Sequence, residues 1–134
     1  MPIQVVWDND DQTVIRYIIE GNWTWEEMLA AVAASNAMLD AAEGKVDFIH
    51  DMSASAGIPG GALSNLKRFI GKEHTRTGQS VIVSGGRSTS VLFAQGLLNI
   101  VDKIYKRDWG FHFADSLEQA RQYLAERARQ NNTP

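Results

Sequence analysis

The feature that most constrains the fold is a regular alternation of short strand-like runs with longer helical segments. Two runs rich in β-branched residues, 3–7 and 13–20, flank a polar stretch and predict an antiparallel hairpin. After residue 21, helical patterns alternate with single strand-like runs. The predicted order is β-β-α-β-α-β-α-β-α, which is typical of an α/β domain with a mainly parallel sheet and right-handed crossovers.

Hydrophobic spacing and turn residues set the bounds of the later elements. The strands expected after the hairpin are 46–50, 80–84 and 109–113. The expected helices are 25–44, 59–75, 89–105 and a last one after residue 116. A loop of small residues is expected at 52–61. We therefore expect a single domain over residues 1–134, with a mixed sheet of about five strands and helices mainly on one face.

The strongest local signal is a capping box at the start of the first helix. Thr24 is followed three residues later by Glu27, so each side chain can bond the backbone amide of the other. Trp23 and Met28 occupy the two positions of a hydrophobic staple, which fixes the direction in which the chain enters the helix.

Composition excludes several classes of protein. Hydrophobic residues make up 44% and charged residues 22%, as in ordinary globular proteins rather than disordered ones. A net charge of −3 argues against a nucleic-acid binder, and the absence of cysteine excludes disulfides and thiol chemistry. No signal peptide or membrane-length apolar run is present, so we expect a cytoplasmic protein. The three histidines form no ligand-spaced pair, so we expect no metal and no cofactor.

Three stretches resemble the SpoIIAA-like proteins that are grouped with STAS domains. They are 18–27 (IIEGNWTWEE), 46–53 (VDFIHDMS) and 113–124 (FADSLEQARQYL). With the element order, the resemblance covers nearly the whole chain. It implies a STAS-like fold and a non-catalytic regulatory or binding domain, whose partner is another protein or a small apolar or anionic ligand.

The resemblance also raises the question of a phosphorylation switch. Sporulation antagonists of this kind carry a phosphorylatable serine in an Asp-Ser-Ser-Gly turn at the start of a helix, where this chain has Gly60 and Gly61. The nearest substitutes are Ser53, which keeps the Asp-x-Ser signature, Ser55 and Ser64. These three serines are the candidate phosphorylation sites.

The stretch from His50 to Ser55 is open to two interpretations. Asp51 with Ser53 or Ser55 would serve a small hydrolase or transferase if a base contacted the serine and a third group oriented that base. His50 and Asp51 are neighbours on a strand, however, and point to opposite faces. The simpler interpretation is that Asp51 accepts hydrogen bonds from amides of the following loop.

A second binding candidate lies between the strand at 80–84 and the helix at 89–105. Glycines, an arginine and a helix start are the groups that hold phosphate or carboxylate. These residues are Ser84, Gly85, Gly86, Arg87 and Ser88. The segment lacks the Lys-Ser/Thr pair of a P-loop, and a plain turn would explain it equally.

The helix expected at 89–105 has more apolar residues than one sheet face needs. Leu92 and Ile100 are among those beside or beyond the arc that would cover the sheet. Either the neighbouring helix at 59–75 covers them, or they form an interface. From the second alternative we expect a homodimer packed through this helix.

Overall fold

The computed structural model describes residues 2–57, 59–61, 64–65, 68, 74–84 and 111–131. The strands are β1 (Ile3–Trp7), β2 (Val14–Gly21), β3 (Val46–Ser55), β4 (Thr77–Val83) and β5 (Phe111–Ala114). The helices of the described residues are α1 (Trp25–Asp40) and α2 (Leu117–Asn131). This arrangement confirms an α/β fold.

The five strands form one mixed sheet in the order β1-β2-β3-β4-β5. β1 and β2 are antiparallel, and the other three neighbouring pairs are parallel, as the alternation of elements predicts. Asn9 closes the hairpin, because its Oδ1 accepts hydrogen bonds from the amides of Thr13 and Val14 at 3.0 and 3.2 Å. The predicted hairpin is therefore confirmed.

The predicted capping box is present at the start of α1. The amide of Glu27 donates to Thr24 Oγ1 at 3.1 Å, and the amide of Thr24 donates to Glu27 Oε1 at 3.0 Å. Each bond satisfies an amide that the helix itself leaves without a partner. Trp23 and Met28 pack in the same hydrophobic cluster, as the staple requires.

α1 ends at Asp40, before the stop expected at Gly44. Arg76 explains the difference, because its Nη1 donates to the carbonyls of Leu39 and Asp40 at 2.9 and 3.3 Å. The last carbonyls of the helix are thus satisfied by a side chain from the segment before β4. A contact between residues so far apart in the chain cannot be predicted from the sequence around the end of α1.

Two strands are longer than expected. β3 continues to Ser55 because Ala54 and Ser55 pair with Glu20 and Gly21 of β2, so the expected loop 52–61 is wrong over 52–55. β4 starts at Thr77 rather than at 80. Its first residues are fixed on β3, since Thr77 pairs with Val46.

The two described helices pack on opposite faces of the sheet. α1 covers the face that carries Tyr17 and Phe48, and the Tyr17 hydroxyl bonds Ser35 of α1 at 2.6 Å. α2 packs instead on Ile49 and Val81. The prediction that the helices pack mainly on one face of the sheet is therefore wrong for α1 and α2. The right-handed crossover rule governs helices that link parallel strands, whereas α2 follows the last strand and is free of that constraint.

Several expectations lie outside the described residues. They include Gly85, Gly86, Arg87, Ser88, the helix at 89–105 and the homodimer that would pack through it. Of the helix expected at 59–75, only residues 64 and 65 are described as helical. In the described part of the chain, no helix has the length and apolar character needed to cross a membrane.

Candidate functional site

The candidate residues gather at the carboxyl ends of the parallel strands. Asp51, Ser53 and Ser55 lie in the second half of β3, and Ser84 directly follows β4. Asp51 is in register with Val83, so the two strands bring Asp51 and Ser84 to the same edge of the sheet. We call this edge, formed by residues 51–55 and Ser84, the carboxyl edge. Crevices outside the carboxyl ends of parallel strands are the usual ligand sites of α/β sheets.

A β-bulge shapes the Asp-x-Ser signature. The register of β2 and β3 shifts between the pairs Ile18–Asp51 and Glu20–Ala54, which leaves one extra residue in β3. Asp51 Oδ1 accepts a hydrogen bond from the Ser53 amide at 3.1 Å and another from Ser53 Oγ at 2.6 Å. The carboxylate thereby satisfies a backbone amide, but this amide belongs to β3 and not to a following loop, as the simpler interpretation had it.

His50 is directed away from Asp51 and Ser53. It lies on the α1 face of the sheet, where its ring centroid is 4.8 Å from that of Tyr17 and 6.1 Å from that of Phe48. Burial in these surroundings lowers the pKa of His50 to about 4. A neutral imidazole on the opposite face neither contacts Ser53 nor orients Asp51. The histidine–aspartate–serine arrangement of a hydrolase is therefore not assembled from these residues.

The other histidines also stand apart from the carboxyl edge. His74 Nε2 is 2.8 Å from Asp40 Oδ1, and the ring of His112 stacks on Tyr123 at a centroid distance of 3.9 Å. Within the described ranges, no three residues among the histidines and acids are grouped as a metal site would require.

Ser55 has a structural role. It is only 3% exposed, and its Oγ accepts from Trp23 Nε1 at 3.1 Å and from the Gly57 amide at 3.1 Å. The same hydroxyl donates to the Gly57 carbonyl at 2.9 Å. These bonds occupy both the donor and the acceptor positions of the hydroxyl. A kinase would have to unfold the end of β3 to reach this oxygen, so Ser55 is a poor phosphorylation site.

A half-open depression of about 160 Å³ lies beside the end of β3. The residues that line it are Asn22, Trp23, Ala56, Gly57 and Pro59. Its volume is below the roughly 300–1,000 Å³ of pockets that enclose drug-sized ligands. This depression suits one side chain of a partner, or a very small molecule.

Ser64 and Ser84 differ in exposure. Ser84 is buried, and both its amide and its Oγ donate to the Ala114 carbonyl, at 3.0 and 3.4 Å. These bonds tie the end of β4 to β5. Ser64 is exposed and belongs to neither β3 nor β4. Among the candidate serines that the structure describes, Ser53 alone combines partial exposure with a place on the carboxyl edge.

The sequence placed Trp23 in a hydrophobic staple, but the roles of the indole nitrogens of Trp23 and Trp25 were missed. Trp23 Nε1 donates to the Gly57 carbonyl at 3.0 Å, and Trp25 Nε1 donates to the Gly60 carbonyl at 2.9 Å. The two rings pack edge to face and hold the chain after β3 against the start of α1. A buried indole nitrogen needs an acceptor, and this requirement is the signal that could have revealed the role.

Comparisons with known proteins do not place the chain in a family. No protein-family model, no curated protein and no solved structure matches it. The STAS-like resemblance therefore stays a prediction.

Proposed function

We propose that the protein is a non-catalytic regulatory or binding domain of the STAS/SpoIIAA-like type. Its binding surface is the carboxyl edge, and its partner is another protein or a small apolar or anionic ligand. A cytoplasmic location is part of the same proposal. The observation that carries it is the pairing of Asp51 with Ser53, which uses the carboxylate to shape the strand end and leaves a partly exposed hydroxyl at the edge.

The same pairing gives the edge a means of regulation. A phosphate on Ser53 would remove the hydroxyl proton that Asp51 accepts and would add negative charge beside that carboxylate. Repulsion between the two groups would open the Asp51–Ser53 turn and change the surface offered to a partner. Ser53 is therefore the favoured phosphorylation site, with the exposed Ser64 as the second candidate.

One observation favours a rival function, that of a small hydrolase or transferase. The distance of 2.6 Å between Ser53 Oγ and Asp51 Oδ1 is within the range at which a base takes a proton from a nucleophile. Against it, the same Oδ1 also accepts the Ser53 amide, and His50 faces the other side of the sheet. The pair is arranged as a local turn, and no other residue in the described part of the chain orients the carboxylate for catalysis.

Labelling with a fluorophosphonate probe separates the two functions, because this reagent forms a covalent bond only with activated serines. If the protein is a binding domain, intact-mass analysis should show no adduct, because the Ser53 hydroxyl is held as a hydrogen-bond donor in a turn. Ser53→Ala is the matched control. An adduct on the unmodified protein that Ser53→Ala abolishes would establish the hydrolase.

A further inference from the structure

Arg16 is an unusual residue for the middle of a sheet. It lies on β2, an internal strand, between Val6 of β1 and Ile49 of β3 in the register. Its side chain is 23% exposed and lies on the face of the sheet that α2 covers. A charged group among apolar neighbours on such a surface requires hydrogen-bond partners to offset its lost hydration.

The guanidinium of Arg16 is poorly partnered. Its Nε is buried, and among the described residues no acceptor bonds it. Its Nη1 lies 3.5 Å from Asp8 Oδ1, which gives charge attraction but at most a weak hydrogen bond. Buried polar groups in folded proteins are nearly always bonded, so each exception calls for an explanation.

Asp8 is oriented by a second arginine rather than by Arg16. Arg121 of α2 donates from Nε to Asp8 Oδ2 at 3.0 Å and from Nη2 to Asp8 Oδ1 at 2.8 Å. This forked geometry is the strongest that arginine makes with a carboxylate. The Asp8 side chain is only 5% exposed, so the pair is a fixed part of the fold.

The cluster has an excess of positive charge. Of the carboxylates that the structure describes, Asp8 is the single one that contacts both Arg16 and Arg121. The acidic group on the adjoining strand, Asp47, is already countered by the charge of Arg127 and by a bond from the Gln79 amide. Counted over the described residues, the two guanidiniums therefore retain a net charge of one and unused donors, and solvent still reaches both side chains.

We propose that Arg16 and Arg121 form a binding site for an oxyanion, namely a phosphate or carboxylate group. Arg16 is its main donor, Arg121 adds Nη1, and Asp8 fixes the orientation of Arg121. The site lies near the amino ends of β2 and β3, whereas the carboxyl edge lies at their other ends, so the two are separate. Arg16 and Arg121 are far apart in the sequence, and no local motif marks them.

The test is a calorimetric titration with inorganic phosphate and, in a second arm, with acetate, against chloride at equal ionic strength. The unmodified protein should bind one or both of the oxyanions and not chloride, and the preferred one identifies the source of the group. Arg16→Met should weaken this binding by about tenfold or more, because bonds to a charged group are lost. Arg129→Gln, which removes an exposed charge of α2 elsewhere, is the matched control and should bind as tightly as the unmodified protein.

A second readout distinguishes a ligand-binding arginine from a structural one. In the absence of oxyanion, Arg16→Met should have a melting temperature at least equal to that of the unmodified protein, because a poorly partnered charge has been replaced by an apolar chain. A lower melting temperature would show that Arg16 serves the fold and would contradict the proposal. If Arg16→Met does not fold, Arg16→Lys serves instead. It keeps the positive charge but loses the paired N–H donors of the guanidinium, so it should bind the oxyanion more weakly than the unmodified protein. The proposal would be overturned if the unmodified protein bound neither oxyanion. It would also be overturned if Arg16→Met and Arg16→Lys bound the oxyanion as tightly as the unmodified protein.

Discussion

Trp23 Nε1 donates a hydrogen bond of 3.1 Å to Oγ of Ser55, which lies 32 residues further along the chain. This bond joins the start of α1 to the end of β3, the strand that carries Asp51 and Ser53. Because Ser55 also bonds both backbone groups of Gly57, one buried hydroxyl sets the course of the chain after β3. The position of the carboxyl edge therefore depends on a contact between two distant residues.

Replacement of Ser55 tests this dependence. Ser55→Ala leaves Nε1 of the buried Trp23 and the amide of the partly buried Gly57 with one acceptor fewer, and it should lower the free energy of unfolding by about 1–3 kcal/mol. Ser53→Ala is the matched control and should cost less, since Ser53 is more exposed and donates only to Asp51. Urea unfolding measures both. Equal stability of Ser55→Ala and the unmodified protein would show that the hydroxyl does not hold this junction.

The capping box gives a prediction about α1. Thr24→Ala removes the acceptor of the Glu27 amide and should cost about 1 kcal/mol, seen as a lower urea midpoint at an unchanged slope. Glu27→Gln keeps an oxygen that can accept the Thr24 amide, so it should cost less. If Thr24→Ala has the same urea midpoint as the unmodified protein, the capping box contributes nothing to stability.

His50 predicts how stability depends on pH. Its pKa is about 4 in the folded protein and near 6.5 when unfolded, so between these values the unfolded state binds more protons. The stability that neutral His50 contributes is complete above pH 6.5 and is lost as the pH falls towards 4. The loss should amount to roughly 1 kcal/mol per pH unit.

His50→Phe isolates this effect, because it keeps an aromatic ring beside Tyr17 and Phe48 but cannot bind a proton. Urea midpoints between pH 4 and 7.5 should fall less steeply in this variant than in the unmodified protein. His112→Phe is the control, since His112 is exposed, and it should keep the original slope. Equal slopes in all three proteins would show that His50 stays solvated.

Gly78 predicts a steric effect at the start of β4. A Cβ at this position would collide with Oδ1 of Asp47, the atom that accepts the Gln79 amide at 2.8 Å. Gly78→Ala should therefore displace Asp47 and destabilise the β3–β4 pairing by about 1–3 kcal/mol. Gly44→Ala meets nothing within 4 Å and should be neutral or stabilising. Thermal melts of the two variants test this prediction. Equal melting temperatures for Gly78→Ala and Gly44→Ala would contradict it.

Local chemistry explains which parts of this fold could be predicted. The hairpin and the capping box at Thr24 each depend on residues close together in the sequence, and both are confirmed. Asp51 also acts locally, but on an amide of β3 rather than of a following loop. The end of α1 could not be predicted, because it depends on Arg76. The length of β3 was missed for a similar reason, since Ala54 and Ser55 become strand only by pairing with β2.

In the candidate site, too, local relationships could be predicted and contacts between distant residues could not. Alternation along a strand correctly separated His50 from Asp51. The hydroxyls of Ser53 and Ser55 could not be ranked from the sequence, because their difference comes from Trp23 and from the bulge in β3.

The most direct test of the carboxyl edge as a binding surface is native mass spectrometry of the protein isolated from its own cells. The account predicts a species heavier than the chain alone, containing a retained protein or small molecule. Ser53→Asp, which adds charge beside Asp51, should release it, whereas Gln122→Glu, which adds one negative charge on the exposed surface of α2, should retain it. A spectrum of the unmodified protein that shows only the bare chain, or a complex that Ser53→Asp leaves intact, would contradict the account.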